Sequence, residues 1–330
     1  MHKRGWHDKY ELADEAFDQG GRGKLFKVLS HPGLLYKQLP EPDLPTGEQM
    51  KRLVGYGRVA DKLTPNTSPF TSINWAKDAE PAPGDRVRGV FLPELHDRFR
   101  APSGRLRTLE YLYLRGAKRG PKPPAAADRI RVVIRIAEVA AHLDALGLVH
   151  PDFNGNNICF SGSQVQVFDT DGMIAAGSRP AELVHTPLWT DPRVTEGRVA
   201  WADQYSNRYD LARMVYCVLL LTPGRMERDP RGTWPGPDPV IDQLPPLMAQ
   251  LLHRGLDNPQ VSRGRPAPAE FVTGLRDAFY PLGRLDRAAA EAVDTLIGYT
   301  PAPPAARPDV GTNLPRWARD PFGRWRHEAA

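Results

Sequence analysis

Cysteine is scarce in this chain of 330 residues, which contains only Cys159 and Cys217. The two cysteines lie in different apolar segments, and neither belongs to a Cys-x-x-Cys pair. Disulfide frameworks and structural zinc sites need more cysteines at regular spacing. The sequence therefore argues against both, and it fits a reducing, cytoplasmic location.

Long apolar runs are also missing. The longest, from Met214 to Leu221, is much shorter than the ~20 residues that a helix needs to cross a bilayer. The N-terminal stretch MHKRGWHD lacks the apolar core of a signal peptide. We therefore expect a cytoplasmic protein without a membrane span.

Neither sign of charge dominates the chain. It contains 44 Lys and Arg and 39 Asp and Glu, which gives a net charge of +5. Charges of both signs are interspersed, as is typical of a solvated surface, although a mild positive charge also suits a phosphate group or an acidic partner. We favour the solvated surface and expect no nucleic-acid partner.

The last part of the chain has a biased composition. After Pro301 it is rich in Pro, Ala and Arg, and Trp317, Phe322 and Trp325 stand among arginines. Interleaved aromatic and basic residues can bind nucleic acid or a membrane surface. We favour the alternative of a disordered tail or a strap packed on the rest of the chain.

The first ~95 residues are typical of a mainly β structure, because short apolar and alternating runs are separated by Gly and Pro turns. Strands are predicted over 10–17, 24–29, 34–39, 71–75 and 87–92, with a helix over 48–63.

The later part of the chain is predicted to be mainly helical. From Asp128 to Leu146 the apolar residues recur close to every 3.6 positions, and Gly147 is a suitable helix stop. A hairpin is predicted over 158–168, around Ser161-Gly162-Ser163. Further helices are predicted over 208–221, 245–256 and 268–279.

Three polar side chains lie on two loops in this half. Asp152 and Asn157 follow the predicted helix directly, and Asp169 follows the predicted hairpin. Asp and Asn are common turn residues, so each alone is consistent with a plain turn. Together they form the set that phosphoryl transfer needs, with one carboxylate to orient a hydroxyl and one carboxylate plus one carboxamide to hold magnesium on a nucleotide.

A glycine-rich run, Gly20-Gly21-Arg22-Gly23, lies between two predicted strands. A dinucleotide site requires a helix after the glycines, and a Walker A loop requires Ser or Thr where this chain has Leu25. The run predicts a tight hairpin whose backbone amides can close over phosphates. Lys37 follows on an apolar strand, where a buried ammonium needs an anionic partner unless it extends to solvent.

These segments resemble the protein-kinase-like family. The stretch from Val149 to Asn157 resembles its catalytic loop, and Asp169-Thr170-Asp171 resembles its metal-binding segment. The resemblance covers roughly residues 10–283. It implies an α+β, two-lobed protein-kinase-like fold, with a small antiparallel β N-lobe over 1–95, a mainly α-helical C-lobe over 96–283, and a tail over 284–330.

The resemblance also implies roles for particular residues. Asp152 would be the catalytic base, Lys37 would pair with ATP phosphates, and Asn157 and Asp169 would bind Mg²⁺. The glycine-rich loop, which includes Gly21, would cover the phosphates. Asp18 stands at the first of the family's glycine positions, and Gly20 and Gly23 stand at the second and third. Leu25 would pack on adenine. Glu94 and Leu95 would lie at the hinge that meets the adenine edge.

Several positions depart from the family pattern. Arg193 stands where the family has a glutamate that pairs with the arginine corresponding to Arg265, so Asp191 or Glu196 is expected to replace it. Asn207 stands where the family has an aspartate that caps the catalytic loop. The helix-borne glutamate partner of Lys37 is not evident, since Glu48 lies too early in its helix.

The resemblance predicts a phosphotransferase that uses Mg²⁺ and ATP, most simply a protein Ser/Thr kinase with a protein substrate as its partner. Two alternatives stay open. One is a pseudokinase acting as a nucleotide-responsive binding module, and the other is a small-molecule kinase of the aminoglycoside-phosphotransferase type.

Overall fold

The computed structural model describes residues 9–20, 23–41, 44–65, 68–113, 124–181, 183, 186, 189–222, 239–256, 261–298, 316–319 and 325–328.

The N-terminal part contains an antiparallel five-stranded sheet with the order β1-β2-β3-β5-β4. Its strands are β1 (Asp18–Gly20), β2 (Gly23–Lys27), β3 (Leu34–Gln38), β4 (Asp78–Ala82) and β5 (Arg86–Pro93). The strand predicted over 10–17 was wrong, because Leu12 makes an isolated bridge to Val28 and the first strand begins at Asp18. In the register of the sheet, Lys37 lies opposite Leu25 on β2 and opposite Val90 on β5. Directly opposed residues share a face of the sheet, so these three side chains lie on one face.

One helix, α1 (Gly47–Ala60), packs against this sheet at β4. The Thr46 side chain caps it by accepting a hydrogen bond from Gln49 N at 3.2 Å. Its buried face is formed by Met50, Leu53, Val54 and Gly57. This face is apolar because it packs on the core beneath the sheet.

The prediction of a strand over 71–75 was wrong. Pro69–Ser72 forms a 3₁₀ turn, and Ile73 makes only a single parallel bridge to Val167. The Trp75 indole N–H donates to Phe70 O at 2.9 Å and folds the segment back on itself. Asn74 N donates to Val167 O at 2.8 Å, so the segment ties the first half of the chain to the second.

The later part is mainly helical, as predicted. Its helices are α2 (Glu110–Tyr113), α3 (Ala126–Ala145), α4 (Pro192–Thr195), α5 (Gln204–Leu220), α6 (Pro246–Leu256), α7 (Pro268–Phe279) and α8 (Arg287–Leu296). The central helix is α3, which packs on α5, α7 and α8. Ile130, Val133, Ile134 and Ala137 of α3 are fully buried, which matches the periodicity of the sequence.

Short strands next to α3 hold the two polar loops. They are β6 (Leu148–Val149), β7 (Ile158–Ser161), β8 (Gln164–Val167) and β9 (Ile174–Ala175). The strands pair antiparallel as β6 with β9 and β7 with β8, the second pair being the predicted hairpin. These two pairings bring the loop after β6 beside the loop after β8.

The range 284–330, which the sequence assigns to a tail, contains the packed helix α8. Asp294 of α8 accepts from Arg129 Nη1 at 2.8 Å and from Ala126 N at 3.0 Å, so it caps α3 and neutralises a buried guanidinium. Further along, β10 (Arg316–Arg319) and β11 (Trp325–Glu328) pair antiparallel. Phe322 lies outside the described residues. The domain boundaries themselves stay predictions.

None of the helices in the described ranges has the length and apolar character that a membrane span needs.

Candidate active site

The loop that follows β6 is fixed by a single amide side chain from α5. Asn207 Oδ1 accepts from His150 N at 2.9 Å, and Asn207 Nδ2 donates to His150 O at 2.7 Å. The His150 ring is buried, and its Nδ1 accepts from Asp152 N at 3.2 Å. Since Nδ1 is an acceptor there, the ring proton lies on Nε2, which is 3.4 Å from Phe168 O.

Asp152 lies half-buried at the tip of this loop, and both of its carboxylate oxygens accept hydrogen bonds. Oδ1 accepts from Asn154 Nδ2 at 2.7 Å and from the Thr186 hydroxyl at 2.5 Å. Oδ2 accepts from Asn157 Nδ2 at 2.8 Å. These bonds fix the carboxylate's orientation and keep a hydroxyl group in contact with it.

Asn157 is oriented by the same residue. Its Nδ2 donates to Asp152 O at 2.9 Å as well as to the carboxylate. Because the amide nitrogen is directed at Asp152, the carboxamide oxygen points away from it. Asn157 O accepts from Phe168 N at 2.9 Å, which places Asn157 next to the loop that carries Asp169.

Asp169 adopts a left-handed backbone conformation, with φ of 59° and ψ of 42°. Non-glycine residues rarely adopt this conformation, and they are found in it mainly at functional sites and tight turns. Asp169 precedes the 3₁₀ turn Thr170–Gly172, and its carboxylate accepts a hydrogen bond from Lys37 of β3.

Lys37 meets two carboxylates of this turn. Its Nζ donates to Asp169 Oδ1 and lies 2.9 Å and 3.0 Å from the two oxygens of Asp171. The side chain of Lys37 is only 8% exposed, so these contacts are shielded from water. Burial lowers the pKa of Lys37, but the charges of Asp171 and Asp169 outweigh it and hold the pKa above its ordinary value. Lys37 therefore stays charged.

Asp171 and Thr186 were not identified as site residues from the sequence. The only available signal for Asp171 is a second carboxylate two positions after Asp169. Thr186 begins a run that resembles the end of the family's activation segment, but its contact with Asp152 was not predicted, because the two residues are 34 positions apart.

The two outer glycines of the glycine-rich run, Gly20 and Gly23, lie opposite each other at the paired ends of β1 and β2. Gly23 has φ of 120°, and a Cβ there would overlap Gln38 O of β3, so only glycine fits. Gly21 lies outside the described residues. Leu25 is half-buried on the face that carries Lys37.

Glu94 and Leu95 follow directly at the end of β5. Glu94 N donates to Gly33 O at 2.7 Å, and its carboxylate pairs with Lys27 Nζ at 2.5 Å. The Glu94 side chain is thus engaged with β2 and not with the Lys37 cluster. Leu95 is half-buried.

A buried ion network lies beyond the loop that follows β6. Asp191 accepts from Arg265 Nη1 at 2.8 Å and from Arg193 Nη2 at 2.6 Å. Of the two acids expected to replace the family's glutamate, Asp191 is therefore the one that contacts Arg265. Burial would raise the pKa of Asp191, but Arg265 and Arg193 outweigh it and hold the pKa below its ordinary value.

The donor set fits a divalent cation only in part. Across the described residues no cluster of three or more His, Cys, Asp or Glu forms a metal site. Asn157 and Asp169 supply two oxygen donors on adjacent loops. Mg²⁺ commonly takes one or two protein oxygens and completes its shell with water and substrate phosphates, so these residues fit a metal–nucleotide and not a metal alone.

Comparison of the backbone with solved structures decides the fold. The kinase domain of PknI from Mycobacterium tuberculosis superposes with a TM-score of 0.52, and the match covers 82% of this chain and 95% of that domain. This chain has a protein-kinase-like fold. The predicted α+β, two-lobed class is thereby confirmed.

The likeness to the PknI kinase domain lies in the backbone, since only 16% of the aligned residues are identical. No family model and no curated protein sequence matches the chain. The kinase-like fold is therefore established by its architecture, and what its site does has to be argued from the residues themselves.

Proposed function

We propose that this chain is an ATP-dependent phosphotransferase, a protein kinase that uses Mg²⁺ and ATP to phosphorylate Ser or Thr of a protein substrate. One observation carries the proposal. Lys37, Asp169, Asn157 and Asp152 form a continuous set, joined by the Lys37–Asp169 ion pair, the backbone bond from Phe168 to Asn157, and the bonds from Asn157 to Asp152.

Each member of this set has a separate task in the proposal. Lys37 binds nucleotide phosphate oxygens through its buried ammonium, and Asn157 and Asp169 hold the metal through their side-chain oxygens. Mg²⁺ supplies charge neutralisation on the β- and γ-phosphates. Asp152 orients the acceptor hydroxyl and takes its proton.

The contact between Thr186 and Asp152 supports a hydroxyl acceptor. The Thr186 hydroxyl donates to Asp152 Oδ1 at 2.5 Å. An acceptor Ser or Thr has to present the same group to the same carboxylate. The contact therefore supports an O–H group as a donor to the Asp152 carboxylate, which has a second oxygen besides the one that Thr186 contacts.

The nucleotide base and phosphates are assigned to residues of the first sheet and its connections, on the side of Lys37. We place adenine against Leu25 and the backbone of Glu94 and Leu95, and the phosphates under the hairpin that contains Gly20, Gly21 and Gly23. The face shared by Leu25 and Lys37 supports this assignment, because it puts an apolar group beside the ammonium. The division into an N-lobe over 1–95, a C-lobe over 96–283 and a tail over 284–330 belongs to the same proposal.

The pseudokinase alternative drew support from the missing partners of Lys37 and Arg265. Both now have carboxylate partners, Asp169 and Asp171 for Lys37 and Asp191 for Arg265. We therefore favour an active enzyme.

The test is a phosphotransfer assay with radiolabelled ATP, Mg²⁺ and the purified chain, alone and with casein as a general acceptor. Phosphoamino-acid analysis of the product identifies Ser or Thr. Asp152→Asn keeps the size of the side chain and removes its charge, and Asp97→Asn is the matched control because Asp97 is 96% exposed. We expect transfer by the wild type and Asp97→Asn and none by Asp152→Asn.

Equal signals from the wild type and Asp152→Asn would refute the enzyme. Nucleotide-dependent thermal stabilisation without transfer would then indicate a pseudokinase. Transfer to kanamycin and not to protein would indicate the aminoglycoside type.

A further inference from the structure

The partner of the buried lysine comes from an unexpected element. The nitrogen of Lys37 lies 2.9 Å and 3.0 Å from the two carboxylate oxygens of Asp171, and both side chains are less than a tenth exposed. Asp171 belongs to the same short turn as Asp169. One turn therefore supplies both carboxylates that surround the ammonium.

Helix α1 does not supply a carboxylate to this cluster. Its buried face consists of Met50, Leu53, Val54 and Gly57. Its only acidic residue, Glu48, is exposed. The neighbouring Gln49 extends instead to Met173 O, to which its Nε2 donates at 2.8 Å.

The turn that carries Asp171 is closed by its own backbone bond and anchored to the segment around Asn74. The Thr170 hydroxyl donates to Asn74 O at 2.7 Å, and Met173 N donates back to Thr170 O at 3.1 Å. Asn74 in turn is bonded to β8 through Val167 O. Asp171 is thus held on a turn whose backbone is fixed at several points, and a carboxylate on such a turn can fix the direction of a long, flexible lysine side chain.

If the proposed function holds and a metal–nucleotide binds, the carboxylates of Asp169 and Asp171 have different tasks. Asp169 is the proposed metal ligand, and a carboxylate that holds the cation would be less available to the ammonium. A buried ammonium without a carboxylate partner is strongly destabilised. Asp171 is the group that can remain on Lys37 at that stage.

We propose that Asp171 is the positioning residue for Lys37 and replaces a carboxylate from α1. It holds the ammonium in the direction of the phosphates while Asp169 binds the metal. The orientation of the lysine therefore depends on a carboxylate of the metal-binding turn and not on a carboxylate of α1.

The test compares phosphotransfer by the wild type, Asp171→Asn, Asp171→Glu and Asp169→Asn, with Asp152→Asn as the inactive reference. Glu48→Gln is the matched control, because it neutralises the one acid of α1. Calorimetry measures binding of a non-hydrolysable ATP analogue with Mg²⁺, and thermal unfolding verifies folding of each variant.

We expect Asp171→Asn to lower kcat about tenfold or more, because a misdirected ammonium loses the transition-state contact while ground-state binding persists. The dissociation constant of the analogue changes less than about threefold, and the Mg²⁺ concentration for half-maximal rate stays unchanged, in contrast to Asp169→Asn. Asp171→Glu recovers part of kcat, and Glu48→Gln behaves as the wild type.

Three results overturn the inference. A kcat of Asp171→Asn equal to that of the wild type would show that Asp171 does not position Lys37, and the phosphotransferase proposal would stand. Loss of activity in Glu48→Gln would show that the carboxylate of α1 positions the lysine. A shift in Mg²⁺ dependence equal to that of Asp169→Asn makes Asp171 a metal ligand. If the wild type is no more active than Asp152→Asn, the proposed function fails.

A crystal structure of the wild type with Mg²⁺ and the analogue tests the same point without activity. We expect the Lys37 ammonium within hydrogen-bond distance of Asp171, and Asp169 on the metal. An Asp171 oxygen in the metal's coordination shell, or no nucleotide complex at all, contradicts the inference.

Discussion

The side chain of Asn207 bonds to both the N–H and the C=O of His150, at 2.9 Å and 2.7 Å. An amide can do this because it carries an acceptor and a donor, whereas a carboxylate could serve only the N–H. Both groups are buried, so neither has water as a substitute partner. The position of the loop that carries Asp152 therefore depends on an uncharged residue of α5.

Replacing Asn207 with Ala should destabilise the fold and misplace Asp152. Two buried hydrogen bonds are lost and two backbone groups are left without partners, which costs about 2–4 kcal/mol. Urea denaturation measures the free energy of unfolding, and the assay described above measures kcat. Asn207→Asp keeps the acceptor but leaves His150 O without a donor, so it should fall between the wild type and Asn207→Ala. Equal stability of all three proteins would contradict this view of the loop.

Replacing Asp191 with Ala should be strongly destabilising. Both side chains of the Asp191–Arg265 pair are fully buried, and Arg193 donates to the same carboxylate. Removing the acid leaves two guanidiniums without this partner, which costs about 3–5 kcal/mol. Asp97→Ala is the control, because Asp97 is 96% exposed and its pair with Arg100 should contribute less than about 1 kcal/mol. Chemical denaturation at pH 7 measures the free energy of unfolding of both variants. A loss of less than about 1 kcal/mol in Asp191→Ala would contradict the prediction, because it would mean that Arg193 and Arg265 find other partners.

The same pair predicts an acid limit to stability. The pKa of Asp191 lies below its ordinary value of 3.8 in the folded chain, because Arg265 and Arg193 outweigh the effect of burial. The ionised Asp191 carboxylate therefore contributes fully to the free energy of unfolding above its ordinary pKa. This contribution is lost as the pH falls through the lower pKa of the folded chain. The difference in unfolding free energy between the wild type and Asp191→Ala should shrink when the pH is lowered below 3.8, and a constant difference would contradict it.

Asp210 should show the opposite dependence. Burial, together with the charge of Asp191, raises the pKa of Asp210 well above its ordinary value of 3.8, and Arg213 opposes this only in part. The folded chain then binds a proton that the unfolded chain releases, so stability falls as the pH rises from the ordinary toward the folded pKa. Asp210→Asn mimics the protonated form, and its stability relative to the wild type should increase with pH. Denaturation at pH 5 and pH 8 tests this, with Asp97→Asn as control, and a difference independent of pH would reject it.

Thr186 should be needed for full activity. Its hydroxyl donates to Asp152 Oδ1 at 2.5 Å, and a hydrogen bond to a charged group contributes about 1.5–3 kcal/mol. Thr186→Val keeps the shape of the side chain and removes this donor, so kcat should fall about tenfold to a hundredfold. Thr186→Ser keeps the hydroxyl and should retain most of the rate. A Val variant as active as the wild type would show that the contact does not orient Asp152.

The sequence predicted those parts of the structure that depend on neighbours along the chain. The apolar period over 128–146 predicted α3, and the run around Ser161-Gly162-Ser163 predicted the pairing of β7 with β8. The strand predicted over 71–75 was wrong because the backbone of Ile73 and Asn74 pairs with Val167 of β8. The first sheet is contacted by the Asn74 side chain, whose Nδ2 donates to Pro93 O at 3.1 Å, and not by a ladder of backbone bonds. Short apolar segments depend on such distant partners, and the period alone cannot reveal them.

By itself, the sequence determined the kind of elements and the ordered set of Asp152, Asn157 and Asp169 on two loops, because periodicity and turn chemistry act over a few residues. Only the tertiary structure decided which charges meet. Lys37 and Asp171 are 134 positions apart, and Arg265 and Asp191 are 74 apart. A buried charge is stable only beside its counter-charge, and which counter-charge it meets is set by how β3, α5 and the loops pack, not by spacing along the chain.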